Sequence, residues 1–300
     1  MRLTEFIARG TTALEGLYPT KEARTLVLML CEHLVGTKSY THIVEPAFEI
    51  PKGKMDVLEA GMARLVRGEP IQYVTGECEF CDMTFKVSPA VLIPRPETEL
   101  LVREAIKIGS RIYRMRTPYG KKAEPVRILD LCTGSGCIAW KVALSVPTAR
   151  VTAADISDEA LKVARSQDFA AQFREAGAVP PQFVHLDVLD LEQAFDYGPF
   201  DLILSNPPYI MESEKGLLRP NVVEYEPASA LFVPDDDPMK FYRAIAEWSK
   251  RLLAPEGKCL TEINEVLGAE TELVFRKAGF SVTEVIKDFY DKNRFIFYQR

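Results

Sequence analysis

Val126-Arg127-Ile128-Leu129-Asp130-Leu131 runs without a break into Cys132-Thr133-Gly134-Ser135-Gly136. The first six residues have the short, mostly apolar character of a strand buried on both faces. Residues 136–146 follow with helical character, so the segment reads strand, glycine loop, helix. In an open α/β sheet the turn beyond the carboxyl end of such a strand is where a ligand binds. Gly134 and Gly136 allow the backbone to approach a bound molecule closely. Two glycines alone also fit a dinucleotide site or a plain tight turn.

Towards the C-terminus the alternation continues. Residues 150–154, 182–186, 201–205 and 258–263 read as strands, and 158–176, 239–253 and 265–278 as helices. Residues 280–286 and 294–298 close the pattern as two further strands. Alternating strand and helix predicts a doubly wound, mostly parallel sheet, here of seven strands. The link between the last two strands, residues 287–293, is too short for a parallel crossover, so they are expected to pair antiparallel.

Towards the N-terminus the character changes. Ala23, Leu26, Val27, Leu30 and Leu34 recur at helical spacing, as do Met55, Leu58, Met62 and Leu65. Residues 1–68 therefore read as a small helical bundle. Residues 77–80 and 84–87 flank Cys81-Asp82-Met83 as a hairpin. In Ile93-Pro94-Arg95-Pro96-Glu97 the two prolines hold the chain extended. Pro96 can open the next helix, with Glu97 and Glu99 complementing its dipole. The expected organisation is a helical domain over 1–72, a hairpin and linker over 73–95, and an α/β domain over 96–300.

Composition narrows the function classes. The chain has 300 residues, 47% hydrophobic and 27% charged, an ordinary globular profile, with a net charge of −6. A chain whose main partner is a phosphate backbone is usually basic, which disfavours nucleic acid. Met1-Arg2-Leu3-Thr4-Glu5 is unlike a signal or transit peptide, and the early apolar run 26–31 is too short to span a bilayer, so a cytoplasmic location is expected. Of six cysteines, Cys78 and Cys81 form a lone C-x-x-C. A zinc site needs four ligands, and His33, His42 and His185 are not at finger spacing, so the pair reads as small side chains in the hairpin and no metal is expected. The basic run Arg111, Arg114, Arg116, Lys121, Lys122, with Pro118 and Gly120 as breakers, reads as a solvated connector rather than a contact for an acidic partner.

Three further stretches carry chemistry. Ala154-Asp155 ends the second strand, where a carboxylate can accept both hydroxyls of a ribose; Ser157 or Asp158 can serve as the helix cap instead. Asp187 and Val188 follow the third strand, where an acid can accept from an adenine amino group and an apolar side chain can pack on its ring. The fourth strand ends in Ser205-Asn206-Pro207-Pro208-Tyr209. An amide nitrogen is a poor nucleophile because its lone pair is delocalised. To alkylate it, a protein must hold its two hydrogens and aim the lone pair. The Asn206 side chain and the Pro207 carbonyl supply two acceptors, Pro208 stiffens the turn, and Tyr209 can stack on a planar amide. Asn-Pro-Pro is also an ordinary turn sequence, but at the end of the fourth strand the functional reading prevails.

The second half of the chain resembles the class I methyltransferases. With Gly68-Glu69-Pro70-Ile71-Gln72-Tyr73, Val91-Leu92-Ile93-Pro94-Arg95-Pro96-Glu97-Thr98-Glu99, Leu129-Asp130-Leu131, Thr133-Gly134-Ser135-Gly136, Ala154-Asp155-Ile156-Ser157 and 205–210 in view, most of the chain resembles the release factor glutamine methyltransferases (the HemK/PrmC family). The resemblance implies S-adenosylmethionine as methyl donor, leaving as S-adenosylhomocysteine. It implies the glutamine of the Gly-Gly-Gln loop of class I peptide chain release factors as acceptor, and a helical domain that helps grip that partner. It implies cofactor contacts from Cys132, Thr133, Gly134, Ser135, Gly136, Asp155, Asp187, Val188 and Asn206. Substrate contacts fall to Asn206, Pro207, Pro208 and Tyr209, with Asn206, Pro207 and Tyr209 catalytic. A monomer needing neither membrane nor nucleic acid is expected. The chain departs from the family's usual pattern at Cys132 and Asn264, where glycine is usual, and at residues 233–238, which read as a variable surface loop. Methylation of a ribosomal-protein glutamine, methylation of a nucleic-acid adenine, and a non-catalytic adaptor role are the competing expectations.

Overall fold

The structure, a computed structural model, describes residues 1–117 and 124–300. Lys121 and Lys122 of the basic run, with Pro118 and Gly120, lie outside the described residues. The chain divides into two compact units, Met1–Glu77 with Leu218–Tyr225, and Cys78–Leu217 with Glu226–Arg300.

The first unit is helical: α1 (Leu3–Leu14), α2 (Thr20–Val35), α3 (Thr41–Val44), α4 (Lys52–Val66) and α5 (Ile71–Thr75). Its core takes Leu3, Phe6, Ile7 and Leu14 from α1, Ala23, Val27 and Leu30 from α2, and Leu58, Met62 and Leu65 from α4. Each set follows the 3–4 spacing of one helix face. The unit is not the first 72 residues alone. Arg219 pairs with Glu22, and the Tyr225 hydroxyl donates to the Arg67 carbonyl at 2.7 Å, which draws residues 218–225 into it. Nothing local in the sequence signals this.

The second unit begins at Cys78, within the hairpin of β1 (Glu77–Phe80) and β2 (Met83–Lys86), and continues with α6 (Thr98–Arg116). There follow β3 (Arg127–Leu131), α7 (Cys137–Ser145), β4 (Arg150–Asp155), α8 (Asp158–Arg165), α9 (Ala170–Ala176), β5 (Gln182–His185), β6 (Phe200–Ser205) and β7 (Ile210–Met211). After α10 (Pro220–Tyr225), part of the helical unit, come α11 (Ala228–Leu231), β8 (Phe232–Val233), α12 (Lys240–Leu252), β9 (Leu253–Glu262), α13 (Gly268–Lys277), β10 (Val282–Lys287) and β11 (Asn293–Gln299).

Among the described residues seven strands form one sheet, in the order β10-β11-β9-β6-β3-β4-β5. The pairs β3–β4, β3–β6, β4–β5 and β6–β9 are parallel, and β11 is antiparallel to both β9 and β10. The class I methyltransferase-like sheet is thus as expected, including its antiparallel end. Alternate residues face opposite layers. Ile128, Val151, Ala153, Leu202 and Leu204 pack with α6, α7 and the hairpin's Phe80 and Phe85. Leu129, Leu131, Ala154 and Ile203 pack with Tyr242, Ile245 and Trp248 of α12. The registers Leu131↔Ala154, Leu131↔Ser205 and Ser205↔Thr261 align the carboxyl ends of β3, β4, β6 and β9 in one row. The glycine loop, Asp155, Asn206 and Glu262 all lie at or just beyond that row.

Four local expectations are corrected. The expected helix over 158–176 is two helices, because Gln167 turns inward between them and pairs with the backbone of Lys86, accepting from its N–H at 2.8 Å and donating to its carbonyl at 2.9 Å. Phe169 then packs edge-on against Phe85 and Trp140. Pro96 precedes its helix rather than opening it, since Glu97 is the capping residue. Arg116 is no solvated connector: it donates to both carboxylate oxygens of buried Asp201, which also accepts from the Arg127 N–H. In 233–238, Val233 is not at the surface; it is buried and pairs with Met211. Cys78 and Cys81 are free, buried thiols pushed up by burial to about 11 and about 12, as suits small apolar side chains of the hairpin. Among the described residues no helix is long and apolar enough to cross a membrane.

Candidate active site

The glycine loop between β3 and α7 is held in place by β4. The Thr133 N–H donates to the Ala154 carbonyl at 3.0 Å, and the Gly134 N–H donates to Asp155 Oδ2 at 2.8 Å. The Ser157 N–H donates to Asp155 Oδ1 at 2.9 Å. Each Asp155 oxygen accepts one backbone hydrogen and keeps a lone pair for another donor. Burial raises the Asp155 pKa above the ordinary range, and the bonds from Ser157 and Gly134 oppose that rise. Ser157 caps α8 by accepting from the Ala160 N–H at 3.1 Å, so Asp155 is not needed as a cap.

Cys132, Gly134 and Gly136 have φ of +60°, +55° and +80°. The left-handed backbone at Cys132 is one that glycine adopts more readily; a side chain in that region costs roughly 1–2 kcal/mol. A Cβ built at Gly134 would meet no protein atom within 4 Å, so packing does not demand glycine there. At Gly136 a Cβ would sit 3.1 Å from both Phe183 and Trp140. Gly136→Ala is therefore expected to destabilise the protein by roughly 1–3 kcal/mol, from strain plus overpacking, measurable by urea unfolding.

A cavity of about 290 Å³ opens over this loop. Of the expected cofactor residues, Cys132, Thr133, Gly134, Ser135, Asp155, Asp187, Val188 and Asn206 line it, and Gly136 does not. Asp187 Oδ1 accepts from the Leu189 N–H at 2.9 Å, and the Val188 carbonyl accepts from the Trp248 indole at 2.9 Å, which fixes both at the wall. The loop's bare backbone, the half-satisfied Asp155 carboxylate and the Asp187–Val188 wall are a donor and acceptor set that fits an adenosyl group.

Asn206 follows β6, half-buried, and lines the same cavity with Pro208. Its Nδ2 donates to Thr98 Oγ1 at 3.2 Å. Pro207 is buried, and neither it nor Tyr209 is among the lining residues. The Tyr209 hydroxyl instead donates to Glu262 Oε1 at 3.1 Å, and burial raises it far above the usual phenol range. Asn264 donates from Nδ2 to the Tyr209 carbonyl at 3.1 Å and to Glu214 at 2.8 Å, pinning the Asn-Pro-Pro-Tyr turn from outside.

Sequence reasoning missed three residues here. Thr98 lines the cavity, Glu262 ends β9 beneath it, and Glu226 holds the proline segment. Glu226 Oε2 accepts from the Ile93 N–H at 3.0 Å and Oε1 from Arg95 at 2.6 Å. The glutamate side chain is only 1% exposed, so its removal leaves a buried N–H and a cation without partners. Glu226→Ala is expected to lower stability by roughly 2–4 kcal/mol in chemical denaturation. A usable signal existed for Glu262: an acid inside the segment 258–263 that reads as a strand of the parallel sheet.

Comparison with known proteins agrees with this geometry. A family model described as the PrmC N-terminal domain matches residues 5–76, and one described as the methyltransferase small domain matches residues 104–223. The chain is 36% identical to the release factor glutamine methyltransferase of Bacteroides thetaiotaomicron over 297 residues, covering 98% of each. It is 35% identical to that of Flavobacterium psychrophilum, covering 99% of this chain and 98% of the relative. Among solved structures, the hMettl16 catalytic domain in complex with a 3'UTR hairpin matches with a TM-score of 0.52 at 12% identity, covering 81% of this chain and 82% of that one, a likeness of fold alone. By its helical unit, its sheet, its cavity and its full-length relatives, the chain belongs to the release factor glutamine methyltransferase family.

Proposed function

We propose that this chain methylates the side-chain amide nitrogen of the glutamine in the Gly-Gly-Gln loop of class I peptide chain release factors. The observation that carries the chemistry is Asn206: one hydrogen of its amide nitrogen goes to Thr98 Oγ1, which holds that end of the amide and leaves its oxygen without a protein donor among the described residues, as the acceptor the site offers. S-adenosylmethionine, when bound, supplies an electrophilic methyl carbon on a sulfonium. Asp155 would accept from the ribose hydroxyls, Asp187 from the adenine amino group, and Val188 would pack against the ring. Residues 132–135 would present their backbone to the rest of the molecule.

This chain's own work is then alignment. Asn206 Oδ1 accepts one hydrogen of the substrate amide and the Pro207 carbonyl the other, which turns the nitrogen lone pair towards the electrophile. The buried turn excludes water, which would otherwise solvate the polar amide. No base need act before transfer, because the alkylated amide is strongly acidic and loses its proton afterwards. Tyr209 supports the turn through Glu262, and any stacking on the substrate amide requires it to reach the cavity. The helical unit is assigned a share in gripping the release factor. The same reading has the protein working as a cytoplasmic monomer without direct nucleic-acid contact, in keeping with its net charge of −6.

Incubation with labelled S-adenosylmethionine and, side by side, purified release factors, ribosomal protein and DNA tests this. Label is expected in the release factor and lost when its Gly-Gly-Gln glutamine is replaced. Label in ribosomal protein or DNA alone would overturn the assignment.

A further inference from the structure

The two ends of a carboxamide are nearly the same size, so what holds one end decides which faces a ligand. At Asn206 the partner is Thr98 Oγ1, the first residue of α6. That hydroxyl has one proton, and it donates to Glu262 Oε2 at 2.8 Å. An ionised carboxylate can only accept, so the Thr98 proton points at Glu262 and a lone pair points at Asn206. Only the NH₂ end of Asn206 satisfies that lone pair. Glu262 Oε1 meanwhile accepts from the Tyr209 hydroxyl, so one carboxylate holds both polar side chains of Asn-Pro-Pro-Tyr. Glu262 is 1% exposed and Thr98 2%, so water does not compete for these bonds.

We propose that Thr98 and Glu262 are positioning residues that set the polarity of the Asn206 amide, keeping its oxygen towards the substrate nitrogen. This rests on the functional reading above and adds to it the pair that fixes the acceptor. A proton on Glu262 undoes the arrangement: the acid can donate to Thr98, whose own proton is then free for Asn206 Oδ1, and the amide can turn its NH₂ to a substrate that also offers hydrogens. The groups facing Glu262 are Thr98 and Glu97 at the start of α6, Tyr209 after β6, Tyr242 of α12 and Arg294 of β11. Burial raises Glu262 to about 7, against the bonds from Thr98 and Tyr209 and the charge of Arg294, with Glu97 adding to the rise.

The test uses the full chain. Thr98→Val keeps the shape and removes the hydroxyl; kcat for methyl transfer to a release factor is expected to fall about 10- to 100-fold, the usual scale for an outer-shell partner, with KM for the release factor little changed. Thr98→Ser restores the hydroxyl and most of the rate. Equal activity in Thr98→Val, or a valine variant better than the serine one, overturns the proposal, because a packing role would prefer valine. Wild-type kcat/KM for the acceptor should rise as pH passes through about 7, and Glu262→Gln should flatten that rise; a profile shared by both also overturns it. A readout independent of substrate is the hydrogen exchange of the Asn206 side-chain NH₂ by NMR in the free protein. Protection is expected in the wild type and Thr98→Ser and loss in Thr98→Val; no difference sinks the polarity claim. If the wild type labels no release factor while that protection pattern holds, the functional reading has failed and the positioning pair has not.

Discussion

Asn206→Ala is expected to reduce methyl transfer by about 10²- to 10³-fold, the scale found when one preorganised polar group is removed from a reacting centre. The variant loses the acceptor that holds a substrate amide hydrogen, and with it the alignment of a weak nucleophile. The Thr98 hydroxyl that accepted from Nδ2 loses only a neutral partner at the edge of the cavity, so the fold should survive. Asn206 lines the cavity, yet the cofactor's other expected contacts come from the glycine loop, Asp155 and the Asp187–Val188 wall. S-adenosylmethionine affinity by calorimetry should therefore change by less than about fivefold, under about 1 kcal/mol. A variant that turns over at the wild-type rate removes Asn206 from the chemistry. One that instead loses cofactor affinity moves it to the other half of the site.

Asp155→Ala is expected to do the reverse. Two hydrogen bonds from ribose hydroxyls to one carboxylate contribute about 3 kcal/mol at the lower end for charged acceptors, so the cofactor Kd should rise about 10²-fold. The carboxylate also holds the Gly134 and Ser157 N–H groups, so the alanine variant loosens the cradle as well as one of its contacts. Saturating cofactor should restore much of kcat, which separates this defect from that of Asn206→Ala. An unchanged Kd would take Asp155 out of the site.

The parts of the molecule legible in sequence were those set by local pattern. The apolar strand ending in two glycines, the acid closing β4, and the short link 287–293 each act through neighbours in the chain, and each indicated its element correctly. Residues hidden from that reading act through space. Gln167 interrupts a helix because it pairs with Lys86, 81 positions away. Glu226 looks like one more surface acid until Ile93 and Arg95 are seen beside it. Residues 218–225 belong with the helical unit through Glu22 and Arg67, distant in sequence. Tyr209 carried the clearest difference: its neighbours in Asn-Pro-Pro-Tyr suggested a stacking platform, whereas Glu262 at the end of β9 and Asn264 just after it, more than fifty positions on, hold it and it does not line the cavity. Cys132 and Asn264 also act through geometry that the sequence does not display: Cys132 has a left-handed backbone, and the Asn264 side chain makes two hydrogen bonds, to the Tyr209 carbonyl and to Glu214.

The central claim is that the substrate amide is gripped through its hydrogens beside the end of β6. A crystal structure with S-adenosylhomocysteine and a peptide carrying Gly-Gly-Gln tests it most directly. The account predicts the glutamine nitrogen within hydrogen-bond distance of Asn206 Oδ1 and the Pro207 carbonyl. A glutamine bound elsewhere, or an Asn206 side chain turned away from the sulfur, would contradict it.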